Sequence, residues 1–596
     1  MNFNKITFKS IWHLVLNQKK SLIIGQAIII LAILIATPIP LMLPVLVDEI
    51  LLDKPAYFVD TIDLLFGSGS AFYYIAIVGF AVIFLRIVHF LLSAIITKIF
   101  TSISKYVTYN IRKKLLVHLK NVSMNEYESL GSGAVGANLI TDVNTLEGFI
   151  STTASKFVSS SLTLLVISIV MMMIDPILGF MILFTQPIVI LISKKISKSV
   201  GELKKDENEA ISDFQNNVNE TLDLFGQIKV SNKENYFFDI AKQKAKKIQI
   251  TSNEYGYKSV AYERFSFTIF LVAFEIFRAS GLVLVAYSDL SIGMMFAMFG
   301  YIWFIMTPIQ DVLSIQYSYS VADAALNRIN KILDLETEIN GEDKLAIKDQ
   351  NLDIDIKNLD FGYSEDKLVL KDISLSIKSR SKIALIGASG SGKTTLAQII
   401  SGFYDKKSGE LKYNGIDIEK LSKSSIRENI FLILQMPILF NNTLRFNITM
   451  GDETITDEQI YEALKIAQLE SMVNDMSDSL DTLVGKHGIK LSGGQRQRLS
   501  IARMIIANPS VVIFDESTSA LDVHTEAKLY NDLQSILKDK TVITIAHRLS
   551  TVKKADMIYV LEAGTLVEAG THEELEQSEG HYREFLNKQL IGNTIN

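Results

Sequence analysis

Between residues 21 and 310 the hydrophobic residues gather into six long runs, each near the length that a helix needs to cross a bilayer. Crossing about 30 Å of hydrocarbon takes about 20 mostly apolar residues. Ser21–Val47 carries no charge, nor does Leu64–Leu85, after which the apolar pattern resumes past Arg86 to Thr97. Phe157–Ile174 and Pro176–Ser193 are of equal length and flank Asp175, and Asp-Pro is a turn-forming pair that predicts the tip of a tight helical hairpin. Phe265–Ser288 is interrupted by Glu275 and Arg278, and Leu290–Gln310 is uncharged throughout. The pattern predicts six spans at about 21–47, 71–97, 157–174, 176–193, 265–288 and 290–310. The first run is too long for the core of a cleavable signal and lacks an A-x-A site, so it is expected to be a first span.

The connections are lopsided. Those at 48–63, 175 and 289 are short, whereas Lys98–Lys156 and Lys194–Arg264 are long and without extended apolar runs. The first long connection carries seven basic residues (Lys98, Lys105, Arg112, Lys113, Lys114, Lys120, Lys156), while Asp48–Asp63 has only Lys54 among five acids. By the positive-inside rule the long connections and the N-terminus are cytoplasmic. Folded as helical hairpins, arms of about 30 residues project roughly 45 Å at about 1.5 Å per residue, so something cytoplasmic is expected at their tips.

After the last run, helical charged sequence at Asn327–Leu335 gives way to a polar stretch, and strand-like alternation begins at Leu352-Asp353-Ile354-Asp355-Ile356. The chain is expected to divide into a transmembrane domain over 1–335, a linker over 336–350 and a second domain over 351–596. A length of 596 residues fits at least two folded units. Composition narrows the classes: 48% hydrophobic and 21% charged residues with a mean hydropathy of +0.25 exclude a disordered chain. A net charge of −6 supplies no basic field for nucleic acid. With no cysteine and eight dispersed histidines, neither disulfides nor a structural metal site is expected.

Chemistry concentrates in the second domain. Gly387-Ala388-Ser389-Gly390-Ser391-Gly392-Lys393-Thr394 satisfies G-x4-G-K-[ST] between a strand-like Lys382–Ile386 and a helix-like Thr395–Ile400. In that setting backbone N–H groups converge on phosphates at a positive helix end, Lys393 reaches the β/γ-phosphates and the Thr394 hydroxyl coordinates Mg²⁺. The apolar Val511–Phe514 then ends in Asp515-Glu516, which offers one carboxylate to hold hydrated Mg²⁺ and another to polarise an attacking water. Leu491-Ser492-Gly493-Gly494-Gln495 precedes a helical Arg496–Ile505.

At this last motif the sequence resembles the ATP-binding cassette (ABC) family, and with six preceding spans it is similar to an exporter-type half-transporter. The fold class implied is an α-helical transmembrane domain with long cytoplasmic arms, followed by an α/β P-loop ATPase. The resemblance implies that Tyr363, which precedes the phosphate loop in the chain, stacks on adenine. Gly387, Ser389, Gly390, Gly392, Lys393, Thr394 and Thr395 would bind ATP, and Ser492, Gly493, Gly494 and Gln495 would cap the nucleotide held by another subunit. Gln435 would contact Mg²⁺ and water, Asp522 in Ser519-Ala520-Leu521-Asp522 would lie on the loop that communicates across the dimer, and His547 would sense the γ-phosphate. Glu516, His547 and Gln435 form the implied catalytic set, and Thr394, Gln435 and Asp515 the implied Mg²⁺ ligands. One departure is visible: Gly485-Lys486-His487-Gly488 has lysine where the family commonly has G-E-x-G.

The function so implied is ATP-driven export or flipping of an amphipathic, lipid-like substrate across the cell (inner) membrane, with membrane lipids as partners and no nucleic acid. The alternative is an ATP-gated channel or regulatory membrane protein, whose relatives tend to lose hydrolytic residues that are all present here. The intact Glu516, His547 and signature favour a homodimer over a heterodimer. The arm tips near Asn125–Gly136 and Asn219–Gln227 are expected to dock on the cassettes. Within the spans, Glu275 has two candidate partners: Arg278 at i,i+3 on its own helix, and Arg86 at matching depth on span two.

Overall fold

The computed structural model describes residues 5–54, 57–288, 290–338, 345–347, 351–364, 367–435, 437–485, 491–515, 523–546 and 549–594, most side chains of 182–198 aside. They form two units, Met1–Val117 with Gly133–Asp334, and His118–Ser132 with Leu335–Asn596.

The first unit is helical. Lys19–Ala36, Pro38–Pro44 and a π-helical Val45–Leu51 follow one another as a 33-residue apolar column. Pro38 is tolerated because it opens its segment, where a helix lacks an N–H partner anyway. Ala71–Leu119, Glu234–Tyr287 and Ile292–Asp311 are likewise long and apolar enough to cross a membrane, and Val158–Ile174 is a shorter apolar helix. The Asp175 carboxylate accepts from the Leu178 N–H at 2.9 Å and caps Pro176–Asp223, which is why the chain reverses at this Asp-Pro pair. The expected fourth span lies on that 48-residue helix.

The helices continue well past any hydrocarbon. Pro176–Asp223 and Glu234–Tyr287 pack along one another and are joined through the short helix Phe225–Val230. Between them Glu207 is buried against Lys204 at 2.5 Å and the Ser252 hydroxyl at 2.6 Å, and these hydrogen bonds hold its carboxyl below the ordinary range. At the end of Ile292–Leu333, Arg328 grips the buried Asp142 through both Nε and Nη2, and the carboxylate raises the already high guanidinium pKa. Asn330 exchanges two 2.8 Å bonds with the backbone of Ile6, which straps the N-terminal segment to the same helix.

The second unit is α/β. Its strands are β1 (Ile354–Phe361), β2 (Leu370–Ile377), β3 (Lys382–Gly387), β4 (Ser408–Tyr413), β5 (Ile416–Asp417), β6 (Ile430–Ile433), β7 (Asn442–Thr443), β8 (Leu483–Val484), β9 (Val511–Asp515), β10 (Thr541–Ile545), β11 (Met557–Glu562) and β12 (Thr565–Gly570). Among the described residues they build a six-stranded sheet in the order β12-β11-β3-β10-β9-β6, an antiparallel four-stranded sheet β2-β1-β4-β5, and the pair β7-β8. The six-stranded sheet is parallel except at its β12 edge. Both its faces are covered, as a parallel sheet requires. Along β9, Val511 and Ile513 enter the core between the two sheets, while Val512 and Phe514 enter a second core built on helical sequence. Each such side chain contributes about 1.5–3 kcal/mol by burial, so the register of β9 is fixed and Asp515 emerges on the Val511–Ile513 face.

The second unit also contains the tip of the first long arm, which sequence order alone assigns elsewhere. Val122 bridges Thr337, the Ser123 N–H donates to the Glu336 carbonyl at 2.9 Å, and the Glu338 N–H donates to the Asn121 carbonyl at 2.7 Å. Met124, the first residue of the helix Met124–Leu130, packs against the core between the sheets.

Candidate nucleotide-binding site

β3 runs between β10 and β11 with Leu385 in register with Ile545 and Tyr559, so the loop that follows it emerges at the carboxyl end of the parallel strands. Gly387 takes φ +145°, and a Cβ there would lie 2.0 Å from the Leu561 carbonyl oxygen. Gly392 takes φ +98° and caps Lys393–Ile400, with the Leu370 side chain 2.6 Å from where its Cβ would be. Both positions require glycine. The helix is held beneath the sheet by buried Leu396, Ala397, Ile399 and Ile400, which fixes where its first turn points. Ser389 and Gly390 are exposed at the crest of the loop.

The Lys393 ammonium is almost buried and donates to the carbonyls of Gly387 at 3.0 Å and Ala388 at 2.9 Å, so its charge sits at the mouth of the loop. The Thr394 hydroxyl donates to Asp515 Oδ1 at 3.2 Å, and Asp515 is only 4% exposed. Ser391 Oγ is buried without a hydrogen-bond partner inside the same loop. Two hard oxygen donors within one ion's reach, an orphaned hydroxyl and a cradle closed to any Cβ suit a phosphate chain with a small divalent cation.

Tyr363 is placed beside this loop. Its hydroxyl shares a 2.9 Å hydrogen bond with Thr395 Oγ1, its ring meets Phe361 and Tyr404 edge-to-face at 5.2 and 5.4 Å, and 44% of the residue stays exposed. Thus Tyr363, Gly387–Thr395 and Asp515 come together. Gln435 lies two residues past β6, whose Ile433 is in register with Phe514 of β9, whereas Ser492, Gly493, Gly494 and Gln495 stand at the start of a separate helix. Ser492 caps the 15-residue helix Gly493–Ala507: its hydroxyl accepts from the Gln495 N–H at 3.2 Å, and the Gln495 side chain accepts from the Ser492 N–H at 2.7 Å. Ser492 and Gly493 are exposed at that helix end. Gln497, on the same helix, donates to the Gln435 carbonyl at 3.1 Å and ties the signature helix to the glutamine segment. Glu516, Asp522 and His547, with Lys486 of the departing Gly-Lys-His-Gly stretch, lie outside the described residues.

Known proteins decide the family. Residues 23–309 match the model of the ABC transporter transmembrane region, and residues 370–519 match the ABC transporter model. The chain belongs to the ABC transporter family. A Bacillus subtilis relative named as a putative multidrug export ATP-binding/permease protein is 30% identical over 494 residues, 81% of this chain and 84% of that one. A Staphylococcus aureus relative with the same description is 32% identical over 499 residues, 82% and 85% of the two chains. A solved bacterial Atm1-family ABC exporter with ATP bound shares the fold at a TM-score of 0.82 and 21% identity, over 96% of this chain and 98% of that one. This ABC transporter therefore joins a membrane region and an ATP-using cassette on one chain, and it is an ATPase coupled to transport.

Sequence reasoning missed three residues that touch or support the site. Ser391 is inside a motif whose spacing leaves that position free. Gln497 lies just past the signature glycines, and Tyr404 approaches Tyr363 from the far side of the phosphate loop in the chain, with no local pattern to mark either.

Proposed function

We propose that the chain is one half of a homodimeric exporter that binds two Mg·ATP and moves an amphipathic or lipid-like substrate out across the cell membrane by alternating access. The observation that carries it is the meeting of Thr394 with Asp515 at the mouth of a loop already holding the Lys393 ammonium. Thr394 and Asp515 would hold Mg²⁺, which when bound neutralises charge on the β- and γ-phosphate oxygens. Lys393 adds a second charge there, the loop amides orient the phosphates, and Tyr363 offers its open ring to the base. Glu516, next in sequence after Asp515, is assigned the attacking water, His547 the γ-phosphate and Gln435 the metal and water.

The signature supports the dimer. Ser492 and Gln495 cap one another at an exposed helix end, where first-turn N–H groups lack intrahelical partners and attract anions. A second copy's γ-phosphate is the anion that this end suits. A groove of about 710 Å³ beside the signature helix is lined by exposed apolar residues such as Leu434, Ile438, Phe440 and Met450, with Asp452 and Arg503 among them. The second arm ends in exposed Leu222, Leu224, Phe225 and Val230, an apolar tip that fits such a groove on a partner copy. Six spans, a cytoplasmic N-terminus and cytoplasmic cassettes complete the reading, on the Lys/Arg asymmetry of the connections.

The test is ATP turnover by the purified protein in lipid nanodiscs, with drugs, lipids and peptides added in turn and the mass of the particle measured. Stimulation by amphipathic compounds in a two-copy particle is expected. A monomeric ATPase, or ATP-dependent ion conductance without coupled turnover, would overturn the exporter reading.

A further inference from the structure

The adenine side of the site is connected to the arm tip by a chain of contacts inside the second unit. The tip is strapped to the start of the cassette through Val122, Ser123 and Asn121, and its helix Met124–Leu130 presents the Glu128 carboxylate to the Tyr404 hydroxyl, which donates to it at 2.9 Å. Tyr404 is 5% exposed. Its ring meets Tyr363 edge-to-face at 5.4 Å and Phe361 at 5.5 Å. The Tyr363 hydroxyl is in turn bonded to Thr395, on the first turn of the helix that follows the phosphate loop. Burial, with the Glu128 carboxylate adding to it, raises the Tyr404 pKa, so the phenol stays protonated and keeps donating.

We propose that Glu128 and Tyr404 are positioning residues for Tyr363, and that through them the tip of the first arm sets how tightly the cassette holds the base of its nucleotide. This rests on reading Tyr363 as the residue that stacks on adenine. A stacking ring stabilises a ligand only as far as it is held in place beforehand, because fixing it at the moment of binding subtracts from the affinity. Tyr363 is 44% exposed, so its orientation is set by the contacts it keeps: the Phe361 ring, the Tyr404 ring and the hydroxyl bond to Thr395. Thr395 moves with the phosphate loop, whereas Tyr404 takes its place from Glu128 and hence from the arm. If the arm tip shifts, a nearly buried phenol either follows its charged acceptor or loses it, and in following it Tyr404 turns. Its ring cannot turn without releasing the edge of Tyr363. The contacts of Lys393 and Thr394 involve neither ring, and Tyr363 meets the phosphate loop only through its hydroxyl on Thr395, so the relay acts on the base.

The experiment measures affinity by calorimetry on the full-length protein in nanodiscs, without divalent metal so that no turnover occurs. ATP and inorganic tripolyphosphate, which has the phosphates without the base, are compared. Tyr404→Phe, which keeps the ring, and Glu128→Ala should each weaken ATP about three- to tenfold, the scale of one net hydrogen bond, and leave tripolyphosphate unchanged. The double variant should be no weaker than either single one, because both remove the same bond. Unchanged ATP affinity in both variants, equal loss for both ligands, or losses that multiply in the double variant would each overturn the relay. Two controls separate this from the site itself: Lys393→Ala should weaken both ligands, and Tyr363→Ala should weaken ATP alone. If Tyr363→Ala leaves ATP untouched, the adenine reading is wrong and the relay goes with it. If Tyr363→Ala weakens ATP while Tyr404→Phe and Glu128→Ala do not, only the relay fails.

Discussion

The Thr394 hydroxyl stands 3.2 Å from the Asp515 carboxylate, although 121 residues separate them in the chain. Two elements make that meeting: the glycine-capped start of the helix Lys393–Ile400, and the end of β9, whose four apolar residues are all buried. The carboxylate is almost fully buried, so its charge acts in a poorly screened setting. Asp515→Asn keeps the hydrogen-bond acceptor and the size while it removes the charge. The expected result is a rise of at least about tenfold in the Mg²⁺ concentration needed for half-maximal turnover, the lower end of what loss of a metal-supporting group costs. ATPase rates across a Mg²⁺ titration check it, and a wild-type midpoint would remove Asp515 from the metal.

Binding and turnover should separate at neighbouring positions. Lys393→Ala removes the ammonium from the mouth of the loop and is expected to weaken nucleotide binding itself. Glu516→Gln should leave binding intact and lower turnover by at least about two orders of magnitude, because the water loses its base while the cradle persists. Calorimetry with ATP and steady-state rates on both variants decide the matter. A Glu516→Gln protein that hydrolyses at the wild-type rate would strip that residue of its role.

The composite site makes a prediction about mixtures. Ser492→Arg places a long cation at an exposed helix end and should abolish hydrolysis by obstructing the nucleotide of the partner copy. Co-expressed with Lys393→Ala subunits, it forms mixed dimers in which one site combines both defects and the other keeps an intact loop and an intact signature. Tag pull-down confirms the mixed species, and its ATPase rate should exceed that of either variant alone. No gain in confirmed mixed dimers would mean that the signature does not act across subunits, or that the two sites do not work independently.

What was readable in the sequence is what is local. The strand–loop–helix order around Gly387 could be read because an apolar strand, the glycine spacing and a helix follow one another directly, and the Asp175-Pro176 reversal could be read because cap and turn chemistry are carried by adjacent residues. The apolar runs mark where a bilayer fits, yet they do not show that Ala71–Leu119 continues as one helix for 49 residues, since its lower half is amphipathic and charged. Contacts such as Tyr404 with Glu128 join positions 276 apart through a single hydroxyl, and no periodicity encodes that pairing. The membership of His118–Ser132 in the second unit is hidden for the same reason: it rests on backbone bonds with Glu336 and Glu338, on Met124 packing into the core and on that one Glu128–Tyr404 bond, none of which a local pattern marks.

The charges within the membrane give the last prediction. Glu275 and Arg278 pair on one helix, Oε2 to Nη2 at 2.5 Å, one turn apart within the apolar end of Glu234–Tyr287. Arg86 lies exposed on Ala71–Leu119. A lone charge at the centre of a span costs at least about 2.5–3.5 kcal/mol, so a partner one turn away lowers the cost of inserting Glu275 before any other helix arrives. The alternative, an Arg86–Glu275 bridge between helices, has to form after insertion and competes with a partner already in place. The local pair is therefore expected to dominate. Glu275→Ala and Arg278→Ala should show a coupling of about 0.5–3 kcal/mol in a double-mutant cycle on thermal stability in nanodiscs, and the exchange Glu275→Arg with Arg278→Glu should recover most of the loss. Arg86→Glu combined with Glu275→Arg should be no better than the worse single variant, because it leaves two arginines facing each other at i,i+3. If instead that combination restores stability and transport while the Glu275–Arg278 cycle is additive, the bridge between helices is the real partner and Arg278 serves the membrane surface alone.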